Sequence, residues 1–366
     1  MKREKLMIIS LFALMANSVI AQVEDLTPRE IAYRDSIASL NEKNATIAAS
    51  QENYNSGIQQ FNKKDYKGAI ESFKKSIDSD ANFTAAYYNK GVAENEIDKF
   101  ADAEQTFNKL IALSPEYSKA YFQRARALQG VGNYIASEKD YEKSIQLDAS
   151  NPKAYYNYGT LRFLQQDYEG AMKHFTKTIE LDPSFAYAYN DRGSCYRMLK
   201  QYPKAIVDYE EAMRKNPNLT FVLNNIGTTK KKMKDYVGAM AAFNRAISID
   251  ANYYLAYNNR GATQMEQNRL DDAVKDFEKA IQLNSKYAPA YSNLASVHLK
   301  RKEYEKAEEM ATKAIKIDAN YSSAYVNRGI AREMLRNMSG ACEDWNKGKE
   351  LGADVAEGFY SGNCTN

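Results

Sequence analysis

Proline and glycine are scarce, at 7 and 17 of 366 residues. Turns, bulges and hairpin loops draw on both, so a large all-β protein is excluded, and 44% apolar with 27% charged residues suits helices instead. An excess of one charge is equally lacking: Lys and Arg outnumber Asp and Glu by only 3. That balance leaves no electrostatic case for nucleic acid. Histidine is almost absent, and His174 and His298 are too far apart to ligate together. No His/Cys cluster has metal spacing, and there is no phosphate-cradling Gly loop, nucleophile elbow or HExxH motif. No catalytic residue, metal or cofactor is therefore expected, and the chain reads as non-enzymatic.

Long apolar runs are missing beyond residue 21, so no membrane span is expected in the mature chain. The first 21 residues differ. Lys2, Arg3 and Lys5 precede the apolar run Leu6 to Ala16, and Val19-Ile20-Ala21 offers a cleavage site before Gln22. An uncleaved anchor needs about 20 apolar residues, whereas Asn17 and Ser18 interrupt this run. The expectation is a secretory signal peptide, with the mature protein periplasmic, at the cell surface or secreted.

What the chain has in excess is tyrosine, 28 residues against a single Trp. A repeating aromatic slot accounts for it. Gly57, Gly91, Gly159, Gly193, Gly227, Gly261 and Gly329 are separated by multiples of 34 residues, with Ala125 and Ala295 in the two remaining slots. Counted from Ser50, nine repeats fill residues 50–355 without insertion or deletion. Position 4 is Tyr in seven repeats; position 20 is Ala in all but one, where Ser137 stands; position 24 is aromatic in all but one, where Ala311 stands. Pro115, Pro183 and Pro217 recur at position 32. At about 100° per residue, positions 4, 7, 8 and 11 share one face of a first helix. Gly or Ala at position 8 lets a second helix approach, and positions 17, 24, 28 and 30 supply that helix with bulk. One such hairpin has too little core to fold alone, so stacking must bury a continuous seam.

This pattern resembles the tetratricopeptide repeat family over residues 50–355. The resemblance implies an all-α, right-handed superhelical solenoid of about nine 34-residue helix-turn-helix repeats whose first helices line a concave, protein-binding groove. The family's chaperone-tail adaptors place Lys at position 5 and Asn at position 9. No repeat here does so, which, with the leader, argues against a cytosolic co-chaperone. The leader ending in Ala-Gln and the Tyr-, Asn- and Lys-rich body resemble exported proteins of the Bacteroidetes.

The ends need covers. Thr27-Pro28-Arg29-Glu30 is a capping box with Pro at the first helical position. It opens an N-terminal capping helix expected within residues 22–49, while residues 356–366 are expected to fold back as a C-terminal cap. An oxidising compartment favours a disulfide between Cys342 and Cys364, with Cys195 left unpaired.

Within the repeats lies an alternation. Position 7 is Arg124, Arg192, Arg260 and Arg328 in repeats three, five, seven and nine, and position 23 of the same repeats is Asp140, Asp208, Asp276 and Asp344. The even repeats have Lys90 with Thr106, Tyr158 with His174, Ile226 with Ala242 and Leu294 with Met310. In a hairpin turning near position 15 these two positions are level, so four structural salt bridges are expected, alternating with apolar pairs.

Positions 2, 5, 6, 9, 12 and 13 point away from that core face. Asn89, Asn157, Asn225, Asn259, Asn293 and Asn327 occupy position 6, and Asn190, Asn224 and Asn258 position 5. Carboxamides carry both a donor and an acceptor, so they form a candidate ladder for an extended peptide backbone. Tyr88, Phe122 and Tyr156 at position 5 are expected to make the N-terminal half of the groove aromatic, with Arg126 and Arg197 adding positive charge. The reading is an exported, non-enzymatic scaffold for a protein or extended peptide. The alternatives are a carbohydrate or cell-wall binder using the tyrosine-rich half, or an accessory subunit of an envelope enzyme.

Overall fold

The computed structural model describes residues 27–364; the signal peptide expected over residues 1–21 lies outside them. Every regular element among the described residues is an α-helix, nineteen in all, and they form two bodies that meet in sequence at residues 149 and 150. In the N-terminal body, three repeats pair α1 (Pro28–Asn62) with α2 (Tyr66–Ser79), α3 (Thr84–Glu96) with α4 (Phe100–Leu113), and α5 (Ser118–Gly130) with α6 (Tyr134–Leu147). The C-terminal body continues with α7 (Pro152–Leu164) and α8 (Tyr168–Leu181), then α9 (Ala186–Met198) and α10 (Tyr202–Lys215). Next come α11 (Thr220–Lys232) and α12 (Tyr236–Ile249), followed by α13 (Tyr254–Glu266) and α14 (Leu270–Leu283). The last pairs are α15 (Ala288–Lys300) with α16 (Tyr304–Ile317) and α17 (Ser322–Met334) with α18 (Met338–Glu350), before the tail helix α19 (Asp354–Asn363).

Each hairpin reverses at position 15, where one residue adopts the left-handed conformation. Lys64, Asp98, Gln166, Lys200, Lys234, Asn268, Lys302 and Arg336 do so with a Cβ, and only Gly132 without one. Position 16 then caps the second helix: Asp65, Asn133, Asp167, Asp235 and Asn337 each accept the backbone N–H three residues on. A left-handed residue carrying a Cβ costs about 1–2 kcal/mol. Lys234→Gly is therefore expected to raise stability by up to about 1 kcal/mol, seen as a higher midpoint in denaturant unfolding.

The hairpin core is a ring laid against a gap. Phe107, Phe175, Tyr209, Phe243, Phe277 and Trp345 at position 24 are fully buried, and a Cβ placed on Gly227 would lie 2.5 Å from the Phe243 ring. The missing side chain at position 8 makes room for the ring at position 24. Each second helix then packs on the first helix of the next repeat within its body. Successive first helices also touch, α7 with α9, α9 with α11, and so on to α17, whereas no two second helices are in comparable contact among the described residues. In each body the first helices therefore lie on the inner side of the stack.

The N-terminus departs from expectation. The capping box forms, with the Thr27 hydroxyl accepting from the Glu30 N–H and the Glu30 carboxylate from the Thr27 N–H. The helix it opens does not stop before the repeats; it runs unbroken through the first helix of repeat one. No Gly or Pro stands between Pro28 and Gly57 to end it, so residues 28–49 project as an extension and are exposed throughout. They cover nothing. The C-terminal tail does pack: Ala356 is buried, Phe359 stacks on Trp345 at 5.2 Å, and Cys342 is joined to Cys364.

Candidate functional site

The inner face is built from the amides at positions 5 and 6, and their hydrogen bonds run within the protein. Asn225 donates to Asn190, Asn259 to Asn224 and Asn293 to Asn258, at 2.8–3.0 Å, each bond crossing from one first helix to the preceding one. Asn327 donates to the carbonyl and hydroxyl of Ser292 and to the Ser296 hydroxyl. Asn89 donates to the Tyr54 hydroxyl and to the Ala85 carbonyl, and Asn157 to the Lys153 carbonyl. Apart from Asn157, whose bond stays within its own helix, the amides predicted to meet a peptide thus staple consecutive repeats together. Asn258 is nearly buried, so Asn258→Ala would strand the Asn293 amide. We expect a loss of about 1–3 kcal/mol, measured by denaturant unfolding, in place of the neutral effect a pure ligand contact would give.

The position-5 rings are also engaged. Tyr88 lies 6.4 Å from Phe107 and 5.6 Å from Tyr117, Phe122 lies 6.3 Å from Tyr141, and Tyr156 lies 5.8 Å from Phe175 and 4.8 Å from Phe185. Each bridges the ring at position 24 and, where one is present, the ring at position 34. The rings expected to line the N-terminal half of the groove are thus packed against core rings, Phe122 buried and Tyr88 and Tyr156 partly so, rather than standing free for a ligand. Arg126 donates to Gln123 and pairs with Glu96 at 3.5 Å; Arg197 donates to the Tyr209 hydroxyl.

The four Arg/Asp couples are bidentate. Nε and Nη2 of Arg124, Arg192, Arg260 and Arg328 meet the carboxylates of Asp140, Asp208, Asp276 and Asp344 at 2.6–2.9 Å. Each guanidinium also lies over the tyrosine three residues before it, at 5.3–5.8 Å from the ring centre. A second role was missed in the sequence. Nη1 reaches back to position 25 of the preceding repeat, where Asn108, Thr176, Asn244 and Thr312 accept. The signal was present, because position 25 of repeats three, five and seven is instead Glu142, Glu210 and Glu278.

The alternating partners are apolar only in repeats six and eight. In repeat two, Lys90 and Thr106 both bond the buried Glu94, at 2.5 and 2.7 Å. In repeat four, the Tyr158 ring packs tilted against His174, with ring centres 4.1 Å apart and planes 32° apart.

Two aromatic side chains on the inner face of the C-terminal body, both at position 2, are left at least partly open. Tyr187 is 47% exposed and stacks on the partly exposed Phe221 of the next first helix, 5.9 Å away and 19° from parallel. One turn along the same face of α9, Asp191 accepts from the Tyr156 hydroxyl at 2.7 Å and from the Asn190 amide at 2.8 Å. Burial pushes the Asp191 carboxyl above the usual carboxylate range, against the pull of these two bonds. Beneath, burial pushes the Cys195 thiol up to about 12, so it is a core group and no nucleophile. Among the described residues no group of His, Cys, Asp or Glu is arranged to hold a metal, and no helix is long and apolar enough to cross a membrane.

Comparison with known proteins agrees with this geometry. Profiles of the tetratricopeptide repeat match residues 54–118, 118–151, 152–185, 186–219, 222–253, 254–287 and 288–321. A search of curated proteins returned no match. Among solved structures, a tetratricopeptide repeat protein from Parabacteroides merdae aligns with a TM-score of 0.58 and 16% identity, over 67% of this chain and 97% of its own. The C-terminal part of a repeat-containing protein from Cytophaga hutchinsonii aligns with a TM-score of 0.52 and 19% identity, over 66% and 98%. The Cut9–Hcn1 hetero-tetramer of the APC/C aligns with a TM-score of 0.56 and 13% identity, over 86% and 76%. At these identities the likeness is one of fold. With nine in-phase repeats, hairpins closed at position 15 and the family's profiles matched across most of the array, the chain belongs to the tetratricopeptide repeat family.

Proposed function

We propose that this protein is an exported scaffold that binds a segment of a protein partner along the first-helix face of its C-terminal body. The observation that carries this reading is the stacked pair Tyr187 and Phe221. On a face where the amides and the position-5 rings are engaged internally, these two aromatics are left toward solvent, and large exposed aromatics are the usual anchors of binding surfaces. One turn on, Asn190 and Asn224 are engaged in internal hydrogen bonds, and two turns on Ser194 and Thr228 bond their own helix carbonyls, so the two rings are the apolar groups this stretch of the face offers a partner. Export is supported by the leader composition and by the Cys342–Cys364 disulfide. The carbohydrate reading loses its main support, because Tyr54, Tyr88 and Tyr156 are packed against other rings.

A random-peptide phage library panned on the purified protein tests the reading. Selected peptides should lose affinity about ten-fold or more when Tyr187→Ala and Phe221→Ala are combined, the equivalent of one anchor worth about 1.4 kcal/mol or more. The helical signal should not change. Selected peptides that bind the double variant as tightly as the parent would overturn it.

A further inference from the structure

Position 6 of the first helix is an amide in eight of the nine repeats, and only Asp191 is a carboxylate. The exception sits on the open part of the inner face. Its two oxygens accept from neutral donors, the Tyr156 hydroxyl and the Asn190 amide, and no cation pairs with it among the described residues. A half-buried carboxylate held only by neutral groups is costlier than a neutral side chain making the same contacts. The protein itself shows that alternative: in repeat two, Asn89 donates to the Tyr54 hydroxyl, the neutral counterpart of the contact between Asp191 and Tyr156. The charge on Asp191 therefore has no structural return that an asparagine would not provide.

Its surroundings supply a use for the charge. Tyr187, four residues earlier on α9, lies on the same face as Asp191, and its ring is paired nearly parallel with Phe221. A delocalised planar cation can lie along an aromatic face while donating to a carboxylate, which suits a guanidinium better than a compact ammonium. We propose that Asp191, Tyr187 and Phe221 form a seat for an arginine side chain of the bound segment. The inference rests on the reading of this face as a peptide-binding surface and names the residue type that surface selects. The tyrosine and phenylalanine contribute stacking area, and Asp191 contributes the charge and the direction from which the guanidinium enters.

The test pans one random-peptide library in parallel on the wild-type protein and on Asp191→Asn. The carboxamide introduced by that substitution can donate to Tyr156 as Asn89 does to Tyr54, so the variant should keep the wild-type helical signal. Wild-type selections should be enriched in arginine, and replacing that arginine by its neutral isostere citrulline should weaken binding to the wild type about ten-fold or more. Asp191→Asn should bind the arginine and citrulline forms alike. Peptides that depend on Tyr187 but show no basic preference would overturn the arginine seat while leaving the binding face in place. So would a citrulline penalty of equal size in wild type and variant. Failure of the library to yield any peptide that depends on Tyr187 and Phe221 would remove the binding face itself, and the seat with it. Should Asp191→Asn lose its helical signal, the citrulline comparison on the wild-type protein alone decides, with an unchanged affinity counting against the seat.

Discussion

Asp276→Ala is expected to destabilise the C-terminal body by about 2–4 kcal/mol. Asp276 is almost fully buried and Arg260 mostly so, and truncating the carboxylate leaves a guanidinium with its Nε and one terminal nitrogen unmatched inside the hairpin. Partial exposure of the arginine keeps the loss below that of a wholly buried pair. The protein supplies its own repair, because repeat eight fills the same two positions with Leu294 and Met310, packed in the apolar core. Combining Arg260→Leu with Asp276→Met should recover most of the stability lost in Asp276→Ala. The Asn244 carboxamide, which accepts from Arg260 at 2.6 Å, lies in an exposed position and turns to water in that variant. Denaturant unfolding of Arg260→Leu, Asp276→Ala and their double completes a thermodynamic cycle. Strictly additive losses would show that the two side chains do not act as a couple.

The second large effect belongs to the C-terminal disulfide. Closing a loop of 22 residues between Cys342 and Cys364 restrains the unfolded chain by about 3 kcal/mol in the chain-entropy estimate. Cys364→Ser should therefore loosen α19 from α18, where the buried Ala356, Phe359 on Trp345 and the 2.8 Å pair of Lys349 with Glu357 are among its other attachments. In a stacked array each repeat depends chiefly on its neighbours, so the loss should be greatest in repeat nine and fade toward repeat seven. Hydrogen exchange resolved by peptide is the measurement. Uniform acceleration along the whole C-terminal body would count against nearest-neighbour coupling. Mass mapping of the unreduced protein should also find Cys195 slow to alkylate until the chain unfolds, as its burial requires.

The hairpins are legible in the sequence because their determinants lie within one repeat. A turn at position 15 places position 7 level with position 23 within one hairpin whatever the neighbours do, so spacing within the repeat pairs Arg124 with Asp140. Cys342 and Cys364 are likewise close through a short return of the chain. The inner face is less legible, since a helical wheel describes one helix and cannot say which outward positions are covered by the next. Asn258 and Asn293 both point away from the hairpin core, yet they bond each other because successive first helices touch. Tyr156 reads as a groove residue for the same reason and is closed over by Phe185. The run from Pro28 to Asn62 misleads on a different ground: a capping box marks where a helix begins, and nothing in residues 28–49 marks where it would fold back.

If a partner segment lies on the first helices of repeats five to seven, its position can be read chemically. A selected peptide carrying a benzophenone photo-crosslinker is irradiated with the protein, and the adducts are mapped by mass spectrometry. They should fall within α9, α11 and α13, concentrated around Tyr187 and Phe221, and disappear in the double alanine variant. Adducts confined to the second helices α10, α12 and α14, or to the projecting part of α1, would place the partner elsewhere and refute the inner-face reading.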